Sequence, residues 1–80
     1  SNEITDLYKK SYEQFKLGKY DDALITNINA LKLAEKSKSC NQIAFAYLQV
    51  GKMHYYNKER RQALFYFFKS KSLADSCKID

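Results

Sequence analysis

The stretch LGKYDDAL, residues 17–24, is answered forty positions later by NKERRQAL, residues 57–64. The same shift aligns much more of the chain. Leu7 falls on Tyr47, Ser11 on Gly51 and Phe15 on Tyr55; Ala23-Leu24 falls on Ala63-Leu64, Ala30 on Ser70, and Leu33-Ala34 on Leu73-Ala74. Small residues meet small ones and bulky residues meet bulky ones. A size pattern repeated at such a period describes one supersecondary unit used twice, each copy burying its apolar face against the next. The paired small residues mark where two helix axes approach closely.

The unit reads as helical. The chain has no proline and two glycines, Gly18 and Gly51, and its many Ala, Leu, Lys and Gln residues favour long helices. Ile4, Leu7, Tyr8, Ser11, Tyr12 and Phe15 recur at helical spacing over residues 3–16. LGKYDD then stops the helix: Gly18 adopts a left-handed conformation, and Asp21 or Asp22 caps the helix that follows. Ala23, Leu24, Ile28, Ala30, Leu31 and Ala34 carry that second helix to about Lys36. KSKSCN reads as a loop, with Ser39 or Asn41 capping a third helix that bears Ile43, Ala44, Tyr47, Leu48, Gly51 and Tyr55. NKER makes the second turn, and a fourth helix runs from about Arg60 to Ser76. The expected fold is all-α, with antiparallel helix–turn–helix hairpins over residues 1–38 and 39–80 packed as one small domain.

Composition narrows the function. The formal charge is +5, with lysines and arginines dispersed in small clusters at Lys9-Lys10, Lys36/Lys38, Arg60-Arg61 and Lys69/Lys71; such spacing reads as a solvated face. A basic nucleic-acid-binding helical module is the alternative, with Lys58, Arg60, Arg61, Lys69 and Lys71 as a stripe and tyrosines stacking on bases. Acidic residues interrupt that stripe, and no recognition helix, zinc finger or sheet-based RNA motif is present. No catalytic site is expected. His54, the single histidine, sits at helical spacing from Val50 and Gly51 without a signalled triad or metal partner. Asp21-Asp22 reads as a helix start, and there is no glycine-rich phosphate loop. No metal and no cofactor are expected.

Cys40 and Cys77 have neither C-x-x-C spacing nor the density of a disulfide-stapled miniprotein, and read as free structural thiols. The compartment stays open, with the cytoplasm slightly favoured. No run approaches the ~20 apolar residues of a membrane span, and no signal peptide is visible.

Leu7, Ser11, Phe15, Gly18-Lys19-Tyr20, Ala23-Leu24 and Ala30-Leu31 resemble one tetratricopeptide repeat. Tyr47, Leu48, Gly51, Tyr55, Ala63-Leu64, Phe67, Ser70 and Leu73 resemble a second. The resemblance covers almost the whole chain and departs from the family pattern at several points. The mid-helix leucine–glycine pair is Lys10-Ser11 in the first copy and Val50-Gly51 in the second; the turn glycine is Lys58 in the second, the tyrosine after it Arg60, and the closing proline is absent from both. The period of forty exceeds the common ~34 and is similar to a longer variant of regulatory and adaptor proteins, the extra residues being expected in the second helix and the loop after it. The resemblance implies a short right-handed α-solenoid and a non-catalytic protein–protein interaction scaffold. It also suggests a segment of a bacterial signalling or transcription regulator.

In such stacks the first helix of each hairpin lines a concave groove. The residues expected there are Tyr8, Lys9, Tyr12 and Lys16 on the first helix, and Phe45, Gln49, Lys52 and Tyr56 on the third, with Phe15 and Tyr55 as core. A floor of tyrosines edged by lysines suits a protein or peptide partner of acidic character. The family subset that clamps a chaperone's C-terminal carboxylate has lysine and asparagine where this chain has Tyr8, Tyr12 and Gln49, so that role is not expected. On the fourth helix Phe65, Tyr66, Phe67 and Phe68 cannot share one face. Phe65, Tyr66 and Phe68 are expected to meet neighbouring repeats, or a second copy in self-association. The ending CKID falls where a loop to another unit is expected, as in a piece of a longer array.

Overall fold

The computed structural model describes residues 2–77, and the CKID loop expectation lies beyond them after Cys77. Four helices follow one another: α1 Glu3–Lys16, α2 Tyr20–Ser37, α3 Cys40–Tyr56 and α4 Arg60–Cys77. The helices pack in sequence order, α1 on α2, α2 on α3 and α3 on α4. The result is an all-α, solenoid-like stack of two hairpins, a slab of 40 × 33 × 15 Å.

Both hairpin turns close by the same hydrogen-bond pattern, forty residues apart. After α1, the Gly18 N–H donates to the Phe15 carbonyl and the Lys19 N–H to the Gln14 carbonyl, both at 2.9 Å. After α3, the Lys58 N–H donates to Tyr55 at 3.0 Å and the Glu59 N–H to His54 at 2.9 Å. This Schellman closure needs one left-handed residue. Gly18 supplies it at φ 77°, and Lys58 supplies it at φ 62° with a Cβ that opposes the conformation.

Helix starts differ from expectation at one place. Asn2 caps α1, accepting from the Ile4 N–H at 2.8 Å, and Ser39 caps α3, accepting from the Gln42 N–H at 3.3 Å. The α2 helix begins earlier than Asp21 and has no side-chain cap. Asp21 and Asp22 lie inside its first turn, where they oppose the helix dipole's positive end. Asp21 has a second task, accepting at 2.7 Å from Asn57 Nδ2 of the other turn. The expected KSKSCN loop shrinks to Lys38 and Ser39, with Lys38 left-handed at φ 58°. The extra length of the repeat is therefore taken up as helix.

The core is built of small side chains. Ala23, Ala30, Ala34, Ala46 and Val50 are fully inaccessible, and Ala44 and Ala63 nearly so. Leu31, Ala34, Ala46 and Val50 form its centre, with Leu24, Ile28, Ile43, Tyr47 and Tyr66 packed around them. Alanine at these crossings lets the backbones draw together, which drives most of the bulky rings outward. Phe15 is half-buried, while Tyr55, expected in the core, is 58% exposed.

The free-thiol expectation is overturned. Cys40 at the start of α3 and Cys77 at the end of α4 form a disulfide, with their Cα atoms 5.7 Å apart. Their separation of 37 residues in sequence hid the pairing. Only the antiparallel hairpin brings its two outer ends together.

One substitution and one reduction test this frame. Lys58→Gly relieves the left-handed Cβ and is expected to raise unfolding free energy by up to about 1 kcal/mol, measured by chemical denaturation. Reduction of the disulfide closes no new contact but frees the unfolded loop. It is expected to lower stability by about 2–4 kcal/mol, seen as a lower urea midpoint with reductant. A midpoint unmoved by reductant would contradict the bridge.

Candidate functional site

The two hairpins cross by the same close approach, filled in different ways. In the first, Ser11 is 2% exposed and its hydroxyl donates to the Ala23 carbonyl at 3.3 Å. In the second, Gly51 holds that position: a Cβ there would lie 3.3 Å from the Ala63 carbonyl and 2.7 Å from the Phe67 ring. Where Phe67 fills the second crossing, Asn27 fills the first. Asn27 Nδ2 donates to Ser11 Oγ at 2.5 Å and to the Ala23 carbonyl at 3.1 Å. Thr26 beside it is also buried, donating to Gln14 Oε1 at 2.7 Å. The first hairpin thus has a buried polar floor where the second has a ring.

Above that floor lies a groove of about 220 Å³ between α1 and α3. Tyr8, Tyr12 and Phe15 wall it from α1, and Gln49, Lys52, Met53 and Tyr56 from α3, with Ser11 and Asn27 at its base. Phe15 and Tyr56 pack with ring centroids 4.7 Å apart and close one end. Tyr8 meets Phe45 edge-on at 5.1 Å. Small-molecule sites run to roughly 300–1,000 Å³, so this groove is sized for a side chain and a short length of backbone.

Tyr8, Tyr12, Gln49, Lys52 and Tyr56, expected in the groove from sequence, come together there. Phe45 stands outside the lining and supports the Tyr8 ring. Lys16 lies over the Tyr12 ring, with Nζ 4.8 Å from its centroid, and pairs with Glu13 at 3.3 Å. Lys9 is on the exposed surface of α1 and outside the lining. Sequence reasoning missed Ser11, Asn27 and Met53 as lining residues, and Phe15, expected as core, also walls the groove. An asparagine within the alanine-rich stretch of α2 was the available signal, since a buried amide needs partners to justify it.

One atom of the groove is unsatisfied. The Tyr8 hydroxyl is buried and has no hydrogen-bond partner among the described residues. Its burial also pushes the phenol pKa up from its ordinary value. A hydroxyl so placed costs about 1–3 kcal/mol relative to a paired one.

The aromatic residues expected as an array or dimer contact divide. Phe65 and Phe68 are exposed, at 56% and 67%. Tyr66 is half-buried instead, stacked on His54 at 5.5 Å and packed against the core. An open depression of about 510 Å³ on this side is lined by Tyr47, Phe65, Phe68, Lys69 and Leu73, among others. Lys69 lies across it, 5.3 Å from the Tyr47 ring and 5.2 Å from Phe65.

His54 is held between Tyr66 and Glu59, whose Oε1 is 2.9 Å from Nδ1. Asn57 joins the same cluster at 3.4 Å from Glu59 and ties it to Asp21. These contacts fasten the second turn to the start of α2. Among the described residues no group of three His, Cys, Asp or Glu side chains is placed to hold a metal ion, and no helix is long and apolar enough to cross a membrane.

The groove makes a stability prediction that is independent of any ligand. Tyr8→Phe removes the unpaired hydroxyl and keeps the ring, and is expected to raise unfolding free energy by about 1 kcal/mol. Urea denaturation of the two proteins checks it; a loss of stability would mean the hydroxyl already has a partner.

Compared with protein-family models, curated proteins and solved structures, the chain matches none, and its likeness to tetratricopeptide repeats rests on its own residues.

Proposed function

We propose that this chain is a non-catalytic interaction scaffold whose α1–α3 groove takes a short segment of an acidic peptide or protein. The observation that carries the reading is the groove of aromatic rings set over a polar floor between α1 and α3. The rings of Tyr12, Phe15 and Tyr56 offer rigid apolar area at low entropy cost. Lys52 is exposed at the rim and enters no ion pair among the described residues, which suits a carboxylate beside the anchoring side chain. Placement within a bacterial signalling or transcription regulator is proposed on the resemblance in repeat length alone.

The test is selection from a displayed library of random short peptides against the intact, oxidised chain. Selected sequences are expected to pair an apolar or aromatic anchor with Asp or Glu. The Tyr12→Ala/Tyr56→Ala double variant is expected to weaken them at least about tenfold, the scale of one buried anchor. Tyr8→Phe keeps the ring that lines the groove and is expected to leave peptide binding unchanged while making the fold more stable. Peptides that bind the double variant equally well would sink the proposal. Affinity for single-stranded nucleic acid that falls steeply with salt would replace it.

A further inference from the structure

The forty-residue shift relates the two open ends of the stack to its interior, and the comparison is asymmetric. Inside, α3 offers α2 the residues Ile43, Ala46 and Val50, with Met53 following one turn later and also buried. Their counterparts on α1 are Glu3, Asp6, Lys10 and Glu13, all exposed. The α1 end therefore carries charge where a preceding hairpin would press apolar side chains. That end is closed to stacking, since burying those charges against Leu or Ile would leave them desolvated.

The α4 end is the reverse. Inside, α2 receives α3 on Leu24 and Ile28, both half-buried against the core, while Phe15 packs on Tyr56. Their counterparts are Leu64 at 54% exposed, Phe68 at 67% and Tyr55 at 58%. Tyr55 and Leu64, with Arg60, Ala63 and Phe67, line an open depression of about 310 Å³. Shifted back by forty, these five positions are Phe15, Leu24, Tyr20, Ala23 and Asn27, the first hairpin's own turn-side surface, with Phe15 covered by Tyr56.

We propose that the α4 face is a one-way docking seat for a further helical hairpin whose leading helix is of the α3 type. The chain itself states the occupant's chemistry, because it shows what covers this surface once already. The incoming helix presents a small residue at the place of Ala46, a β-branched one at Val50, a flexible apolar one at Met53 and an aromatic at Tyr56. Lys71 stands where α2 has Leu31, within the seat, and pairs with Asp75 at 3.3 Å, so the partner places an acidic residue there that keeps the ammonium paired as it is covered. The charged α1 end makes a second wild-type copy a poor occupant in head-to-tail order. Growth proceeds from α4 alone.

The test converts the closed end into an α3-like one. The probe is the full chain carrying Asp6→Ala, Lys10→Val and Glu13→Met, followed by sedimentation velocity in oxidising buffer over a range of concentrations. Wild type is expected to sediment as a monomer, and the converted chain to form oligomers whose mass grows with concentration. Adding Leu64→Lys and Phe68→Lys to the converted chain is expected to return it to a monomer. Should the triple substitution cost helicity by circular dichroism, Lys10→Val alone replaces it, read as chemical-shift changes at Leu64 and Phe68 on titration into wild type. A helical converted chain that stays monomeric, or oligomers that survive the two lysines, overturns the seat. A wild-type dimer abolished by Phe68→Lys overturns the choice of occupant, making it a second copy joined α4 to α4.

Discussion

The molecule depends on how closely its paired helices cross. At Ser11 with Ala23, and again at Gly51 with Ala63, the side chain is reduced to a hydroxymethyl group or to nothing, and the neighbouring backbone carbonyl comes within contact. A core so thin is lined with alanines, and Val50, Asn27 and Ser11 are the largest side chains fully enclosed. Twelve aromatic residues cannot fit inside such a core, so most stand at its edges. The surface features that suggest interaction are the physical consequence of this close packing.

The same crossing also separates the roles of the two hairpins. The second fills its gap with the Phe67 ring. The first fills it with Asn27, held by Ser11 and the Ala23 carbonyl, and so places a polar floor under the aromatic walls of the groove. A buried amide of this kind is tolerated only when its hydrogen bonds are made, and here the donor side is made twice. The orphan nearby is Tyr8. A repeat that is regular in backbone thus becomes specific in chemistry at two equivalent positions, Ser11/Gly51 and Asn27/Phe67.

Stability is distributed to match. The disulfide and the Asp21–Asn57–Glu59–His54 cluster restrain opposite ends of the second hairpin. The second turn keeps its left-handed residue as a lysine, a small strain that these restraints over-determine. The α4 helix, exposed on its far side, is held in place chiefly through α3.

Sequence by itself determined the helices, the two-hairpin plan and the left-handed turn at Gly18, because these follow from local periodicity, breaker residues and a pattern that repeats at a fixed offset. It also placed Tyr8, Tyr12, Gln49, Lys52 and Tyr56 on two faces that meet. The tertiary structure decided the rest. Whether Tyr55 was core or surface depended on what covers it, which no spacing within α3 records. Tyr66 packs inward against His54 and the core on a helix that Ser70 Oγ ties to the Ala44 carbonyl at 2.7 Å. Cys40 and Cys77 became a pair only when the hairpin folded back, and the Tyr8 ring met Phe45 edge-on only when α1 and α3 came together. Periodicity fixes which side of a helix a residue occupies; the approach of another helix fixes what that side touches.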